Sequence, residues 1–220
     1  MRAHIGTPDL FDTAPRPAVE SLGPGAVMLR GFALDAAPVL QRTLAEVLRA
    51  APLRRLLTPG GRPFSVEMTN CGPYGWISDR AGYRYSAVDP ASGQPWPPMP
   101  PDWLALAQRA AATTGYAGFV PDACLINRYV PGASMGLHQD RDERNVAAPI
   151  VSVSLGLPAT FLFGGPLRSD RASRVPLEHG DVVVWGGTSR LWFHGVARVT
   201  DGSHDFAGAC RINLTFRRSG

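Results

Sequence analysis

Apolar residues recur along this chain in two rhythms, one helical and one extended. After Asp35, a residue type suited to capping, Leu40, Leu44, Val47 and Leu48 follow at i, i+4, i+7 and i+8 and predict an amphipathic helix. After Asp102, Trp103, Leu106, Ala107, Ala110 and Ala111 share one face of a second helix, with Gly115 placed to stop it. Beyond Gly115 the rhythm shortens. Residues 123–130, 150–155, 160–163, 181–185, 192–194 and 211–216 are β-branched or aromatic runs between turn-forming stretches such as PGASMG, GGPL, EHGD and GGTS. Between the helices, residues 58–101 are rich in Gly, Pro and aromatics, with short extended pieces at 65–71 and 83–86. That stretch is too irregular for a core strand array and too aromatic for a passive linker. Two helices followed by many short strands predict a mainly β, α+β chain: a sandwich or barrel supported by N-terminal helices.

Composition bounds the picture without changing it. The 220 residues suffice for one domain with a substantial core, expected over 23–220. Residues 1–22, with Pro8, Pro15 and Pro17, read as a loosely attached arm. A hydrophobic share of 45% and a mean hydropathy of -0.05 are ordinary for a globular protein. No stretch approaches the ~20 apolar residues of a membrane helix, and the N-terminus lacks a signal-peptide run, so a cytoplasmic protein without a membrane partner is expected. The formal charge of +4 and pI near 9.3 suit a polyanionic partner without requiring one. Cys71, Cys124 and Cys210 form no CxxC pair and read as free thiols rather than as a zinc knuckle or disulfide framework.

The chemistry concentrates in few residues. The histidines are His4, His138, His179, His194 and His204. His138 and Asp140 stand in LHQDRDE, and in an extended segment residues i and i+2 face one centre. A third ligand has to come from elsewhere, and His194 in LWFHGV ends a predicted strand. His179, in the turn EHGD, competes for that place but reads as solvated. Two imidazoles and one carboxylate leave positions open on a metal, as the facial triad of non-haem Fe(II) oxygenases requires. The same set also suits catalytic Zn(II), so the triad alone leaves the metal open.

The C-terminal run CRINLTFRR adds a second, independent pattern. Arg211, Asn213, Thr215 and Arg217 alternate with Cys210, Ile212, Leu214 and Phe216, so one strand face is polar and the other apolar. Polar groups on a core strand are costly unless they bind something. Two guanidiniums on one interior face call for a doubly anionic ligand, and 2-oxoglutarate carries two carboxylates. A solvent-facing side of an edge strand is the competing reading.

Taken together, TPGG (58–61), MTNCG (68–72), GW (75–76), DACLINRY (122–129), LHQDRDE (137–143), PIVSVSLGLPA (149–159), LEHGDVVVWGG (177–187) and RINLTFR (211–217) resemble the AlkB-like DNA dealkylation dioxygenases of the Fe(II)/2-oxoglutarate superfamily. The resemblance spans residues 25–218. It implies a double-stranded β-helix (jelly-roll) core over 116–220, N-terminal helices, and a nucleotide-recognition lid over 58–101. Fe(II), 2-oxoglutarate and O2 are the implied cofactors, and oxidative demethylation of 1-methyladenine and 3-methylcytosine the implied reaction, with release of formaldehyde, succinate and CO2. The implied partner is alkylated single- or double-stranded DNA, with RNA as the alternative, acted on by a monomer.

By position, His138, Asp140 and His194 correspond to the iron ligands and also to the catalytic residues. Arg211, Asn213, Arg217, Asn127 and Tyr129 correspond to the 2-oxoglutarate pocket, with Arg217 on the distal carboxylate and Arg211 on the carboxylate near iron. Trp76 stacks on the base and His138 closes its other face; Asp142 accepts from the exocyclic amine, and Glu143 adds negative potential. Tyr83, Tyr85 and Arg168 are implied contacts to the nucleotide or its phosphate, with packing of the lid the competing reading for both tyrosines; Thr58, Arg62 and Met68 line the DNA or base side of the lid, and Trp185 packs near the iron. WFHG replaces the FYHG expected around the third ligand, so Phe193 lacks a phenolic hydroxyl, and RSDRASR (168–174) is individual to this chain. A hydroxylase acting on RNA, protein or a small molecule, a binding protein without iron, and a zinc hydrolase are the rival readings.

Overall fold

A computed structural model describes residues 18–220. The chain opens with β1 (Val19–Gly23) and β2 (Ala26–Leu29), an antiparallel pair. Most of the expected arm, residues 1–17, lies outside the described residues, but Val19 to Leu22 belong to β1 rather than to an arm. α1 (Ala37–Ala50) buries Leu40, Leu44 and Val47, as the spacing predicts. Its N-cap is Ala36, not Asp35, and no side chain caps it. The start is set by the turns that precede it and by a proline in the first turn, where a missing N–H costs nothing.

α2 (Pro101–Thr113) buries Trp103, Leu106, Ala107, Ala110 and Ala111. Asp102 sits inside the first turn, favourable for the helix dipole, while Pro100 holds the cap position. At the other end Gly115 adopts φ +92°, and Tyr116 N–H donates to Ala111 O at 2.8 Å, a Schellman closure.

The remaining strands are β3 (Glu67–Cys71), β4 (Gly75–Asp79), β5 (Gly82–Ser86), β6 (Ala123–Tyr129), β7 (Met135–His138), β8 (Ile150–Gly156), β9 (Ala159–Phe163), β10 (Ser173–Leu177), β11 (Val182–Trp185), β12 (His194–Val196) and β13 (Arg211–Arg217). They build a seven-stranded sheet in the order β1-β2-β11-β8-β13-β6-β3 and a four-stranded sheet in the order β10-β9-β12-β7, with β4 and β5 as a separate hairpin. All pairings between these strands are antiparallel. This is the jelly-roll core expected from the sequence.

Several elements differ from expectation. Within residues 58–101, β3 pairs with β6 at the edge of the large sheet, and the β4–β5 hairpin forms a sheet of its own. β10 occupies the end of the individual RSDRASR stretch, and β12 begins at His194 rather than ending there.

The large sheet is covered on both faces. On one, α1 and α2 pack against Ile126, Val153, Val182, Ile212, Leu214 and Phe216. On the other, Met28, Ile150, Val183 and Trp185 meet Phe161, Phe163, Val175 and Leu177 of the small sheet. β8 and β13 are therefore buried at all seven of their positions. β13 is central, hydrogen-bonded to β6 on one side and β8 on the other, which excludes the edge-strand reading of its polar face.

Candidate active site

Register within the small sheet brings the predicted ligands together. His138 closes β7 and His194 opens β12, and they stand directly opposite each other across that antiparallel pair, rings 4.4 Å apart. Asp140 lies two residues beyond β7. One ligand atom from each of the three lies within 4.8 Å of the others. His138 Nε2 is 3.6 Å from Asp140 Oδ1, and His194 Nε2 is 3.7 Å from Asp140 Oδ2. Gly195 makes this approach possible, because a Cβ there would stand 2.6 Å from Met135 O.

The donor set fits a divalent metal. His138 Nδ1 lies 2.9 Å from Gly136 O, and His194 Nδ1 lies 3.0 Å from Trp192 O. A carbonyl only accepts, so each Nδ1 carries the proton and each Nε2 lone pair faces the centre, the usual orientation device for metal-binding histidines. Burial, with the neighbouring His138, lowers the His194 pKa to about 4, so its imidazole is neutral at neutral pH. Burial opposes ionisation of Asp140, but Arg217, His194 and His138 outweigh it and hold the carboxyl below its usual range. Trp185 packs beside the centre, 5.0 Å from the His194 ring.

An inner pocket continues from the triad along the polar face of β13. Arg211 faces Tyr129 and Asn213 faces Asn127 in strand register, so the pairings implied by resemblance are cross-strand neighbours. Ser152, Thr215 and Arg217 join them in lining it. Asn213 donates to Ser152 Oγ and Val153 O and accepts from Thr215 Oγ1, which locks its amide. Arg211 is 1% exposed, lies 5.0 Å over the Tyr129 ring and donates Nη2 to Ser154 Oγ. Its Nε and Nη1 have no protein partner. A buried guanidinium with two unanswered donors is costly unless an anion answers them, and a carboxylate does so with both oxygens.

Arg217, which the resemblance places on the distal carboxylate, is the arginine that pairs with the metal-site carboxylate Asp140. Arg217 donates to Asp140 Oδ2 through Nε at 2.9 Å and Nη2 at 2.7 Å, so it stands at the metal end. Arg211 is held at the Tyr129 and Ser154 end, away from Asp140. Strand alternation places both on one face but carries no information about which end meets the metal.

An outer cavity of about 410 Å³ opens onto the other side of the triad, within the roughly 300–1,000 Å³ common for ligand sites. Trp76, Tyr83, Met68, Asp142 and Arg168 line it together with His138 and Asp140. Trp76 Nε1 donates to Asp142 Oδ2 at 2.8 Å, and Tyr83 stacks on Trp76 with rings 5.5 Å apart. One face of the indole is thus covered. Arg168 lies 5.7 Å over the Phe193 ring, so the departure at Phe193 still builds a wall of this cavity.

Two residues expected near the substrate are engaged inside the protein. Glu143 does not line the cavity: it is buried behind Asp140, paired with Arg190 at 3.0 Å and Arg217 at 3.3 Å. Tyr85 donates its hydroxyl to Glu143 at 2.6 Å instead of facing a nucleotide. Thr58 closes a tight turn with Arg62, accepting that residue's N–H on Oγ1 and donating its own N–H to Arg62 O.

Sequence reasoning also missed residues. Ser152 and Ser154 alternate with valines in β8, the same signal that exposed the polar face of β13. Phe64, Met135, Gln139 and Arg141 line the outer cavity, and Arg190 is 3% exposed; no local pattern marks them.

Comparison with known proteins agrees with this geometry. Residues 25–217 match the model of the 2OG-Fe(II) oxygenase superfamily, and the chain belongs to that family. It is 55% identical to the alpha-ketoglutarate-dependent dioxygenase AlkB of Escherichia coli (strain K12) over 96% of this chain and 98% of that one. It is 46% identical to the AlkB homolog of Caulobacter vibrioides (strain NA1000 / CB15N), over 81% and 82% respectively. The solved structure of OsALKBH1 superposes with a TM-score of 0.79 at 30% identity, covering 91% of this chain and 99% of that one. Within the superfamily, then, this is an AlkB-like alpha-ketoglutarate-dependent dioxygenase.

Proposed function

We propose that this enzyme demethylates nucleobases alkylated on the Watson–Crick edge, 1-methyladenine and 3-methylcytosine, in DNA. The observation that carries the reading is the outer cavity, where an aromatic wall and a carboxylate meet at the metal: Trp76 and Asp142 are joined at 2.8 Å beside His138 and Asp140. These lesions are cations near neutral pH. A cationic ring over an indole gains cation–π attraction, and Asp142 adds a charge term that a normal neutral base does not receive. Alkylation also blocks pairing, so such a base is cheap to extrude into a pocket.

His138 and His194, through their Nε2 atoms, and the Asp140 carboxylate would hold Fe(II). Arg211, with Tyr129 and Ser154 beside it, takes the distal carboxylate of 2-oxoglutarate. Arg217 steadies Asp140 and meets the keto-acid end, while Asn213 and Asn127 fix the floor between them. When bound, Fe(II), 2-oxoglutarate and O2 supply the oxidising equivalents that turn the N-methyl group into formaldehyde, with succinate and CO2 as the other products. The chain itself contributes placement: the triad presents its nitrogens to one side, Trp76 fixes the plane of the base, and the buried inner pocket excludes water. Arg168 stands at the mouth as a contact to the nucleotide phosphate.

Mass spectrometry of 1-methyladenine and 3-methylcytosine oligonucleotides with Fe(II), 2-oxoglutarate and ascorbate tests the reading. Loss of one methyl mass from both, dependent on 2-oxoglutarate, is the expected result. No loss from either overturns it, and a parallel RNA series decides the strand preference.

A further inference from the structure

Trp76 and Tyr85 are directly opposite one another in the β4–β5 hairpin, so their side chains leave the same face of it. Each makes one polar contact across to the core, and the two acceptors are adjacent in sequence. Trp76 Nε1 reaches Asp142 at 2.8 Å, and the Tyr85 hydroxyl reaches Glu143 Oε1 at 2.6 Å. Asp142 is exposed at the cavity. Glu143 is not: its side chain is 2% exposed.

That buried carboxylate is shared. Its Oε2 receives Arg190 Nη2 at 3.0 Å, and its Oε1 lies 3.3 Å from Arg217 Nε. Both arginines in turn grip the ligand Asp140. Arg217 donates to Oδ2, and Arg190 Nη1 donates to the Asp140 main-chain carbonyl at 2.6 Å. Arg190 is anchored further by Nε on Ala148 O at 3.0 Å. One carboxylate therefore connects the hairpin to the side chain and to the backbone of a metal ligand.

We propose that Glu143 is a positioning residue shared by lid and metal centre, which with Tyr85 and Arg190 sets the distance from the Trp76 platform to the triad. The buried charge is compensated by two guanidiniums and a hydroxyl, a fully connected network of the sort that specifies one geometry. Trp76 alone is held by a contact at the open cavity, where water competes. Tyr85 supplies the second, drier point of attachment, and two points fix an orientation where one leaves a hinge. This inference rests on the outer cavity being the base-binding site.

The test uses the full chain with Tyr85→Phe and, separately, Glu143→Gln, which keeps an acceptor for Tyr85 but removes the charge. In the metal-free protein, hydrogen exchange is followed at amides of β4 and β5 against those of β8 and β13. With Mn(II) and 2-oxoglutarate under anaerobic conditions, the Kd of a 1-methyladenine trinucleotide is measured. Under turnover, succinate formed per formaldehyde released is counted.

Tyr85→Phe is expected to speed exchange in the hairpin alone and to weaken trinucleotide binding about tenfold, the scale of one hydrogen bond to a charged group. It is also expected to raise the succinate-to-formaldehyde ratio above that of the wild type. Glu143→Gln is expected to raise that ratio further, because Arg217 and Arg190 lose their shared counter-charge. Hairpin exchange and ratio unchanged in a folded Tyr85→Phe protein overturn the inference. Wild-type protein that fails to bind the trinucleotide overturns the base-binding reading instead, and the hairpin exchange still reports on the Tyr85–Glu143 contact.

Discussion

Arg217 and Asp140, 77 positions apart in sequence, share a two-point contact in which Nε and Nη2 of the guanidinium both address Oδ2 of the carboxylate. The contact joins the last strand of the core to the metal-ligand loop. It makes Asp140, a candidate metal ligand, also the counter-charge of a buried cation.

Replacement of Asp140 by Ala therefore acts twice. Turnover is lost with the metal, and Arg217 keeps only Glu143 as counter-charge. A stability loss of about 2–3 kcal/mol is expected, below the ~3–5 kcal/mol for breaking a buried pair outright. Co(II) absorption spectra and denaturant unfolding of the metal-free variant check both halves. Turnover persisting in metal-free Asp140→Ala would sink the triad assignment.

The two arginines are separable. Arg211→Ala removes the distal anchor, and loss of a buried charge contact on the order of 2–5 kcal/mol corresponds to a rise in keto-acid Kd of roughly 30-fold or more. Metal affinity is expected to stay near that of the wild type, because Arg211 touches no ligand. Arg217→Ala is expected to weaken both. Calorimetric titration of 2-oxoglutarate and of Mn(II) into each variant separates the cases; equal effects of the two variants on metal affinity would contradict the assigned order.

Trp76→Ala tests the base platform. Stacking on an aromatic side chain contributes about 1–3 kcal/mol per base, so kcat/KM for methylated oligonucleotides is expected to fall roughly 10- to 100-fold. Binding of 2-oxoglutarate to the metal-loaded protein is expected to be unchanged. A full rate on methylated DNA would remove Trp76 from the recognition scheme.

His194 predicts a pH dependence of the metal-free fold. Burial, together with His138, lowers its folded pKa from the ordinary imidazole value of 6.5 to about 4. Between those values the unfolded chain binds a proton that the folded chain does not, so stability falls as pH drops through the window. The loss approaches roughly 2–3 kcal/mol near the lower end. The Asp140 carboxyl is held below its usual range and titrates beneath this window. Thermal melts of metal-free protein from neutral to weakly acid pH, compared with His194→Gln, measure the effect. An identical slope in the variant would assign the dependence to another group.

The sequence by itself determined what is local and periodic. The apolar face of α2, the Gly115 stop and the two-sided pattern of β13 were all legible, because neighbours three, four or two residues apart share a face whatever the rest of the chain does. The clustering of His138, Asp140 and His194 was legible for a different reason: histidines are few, and the spacing of His138 and Asp140 already makes them neighbours.

What only the tertiary structure decided is distance between strands. Register across β7 and β12 sets His138 opposite His194, and the position of β13 in the sheet puts Arg217, not Arg211, against Asp140. Glu143 sits beside Asp142 in sequence, yet one is buried against Arg217 and the other faces the cavity, because Arg190 and Tyr85 arrive from distant elements to claim it. Charge type is written in the residue; the partner that compensates it is written in the fold.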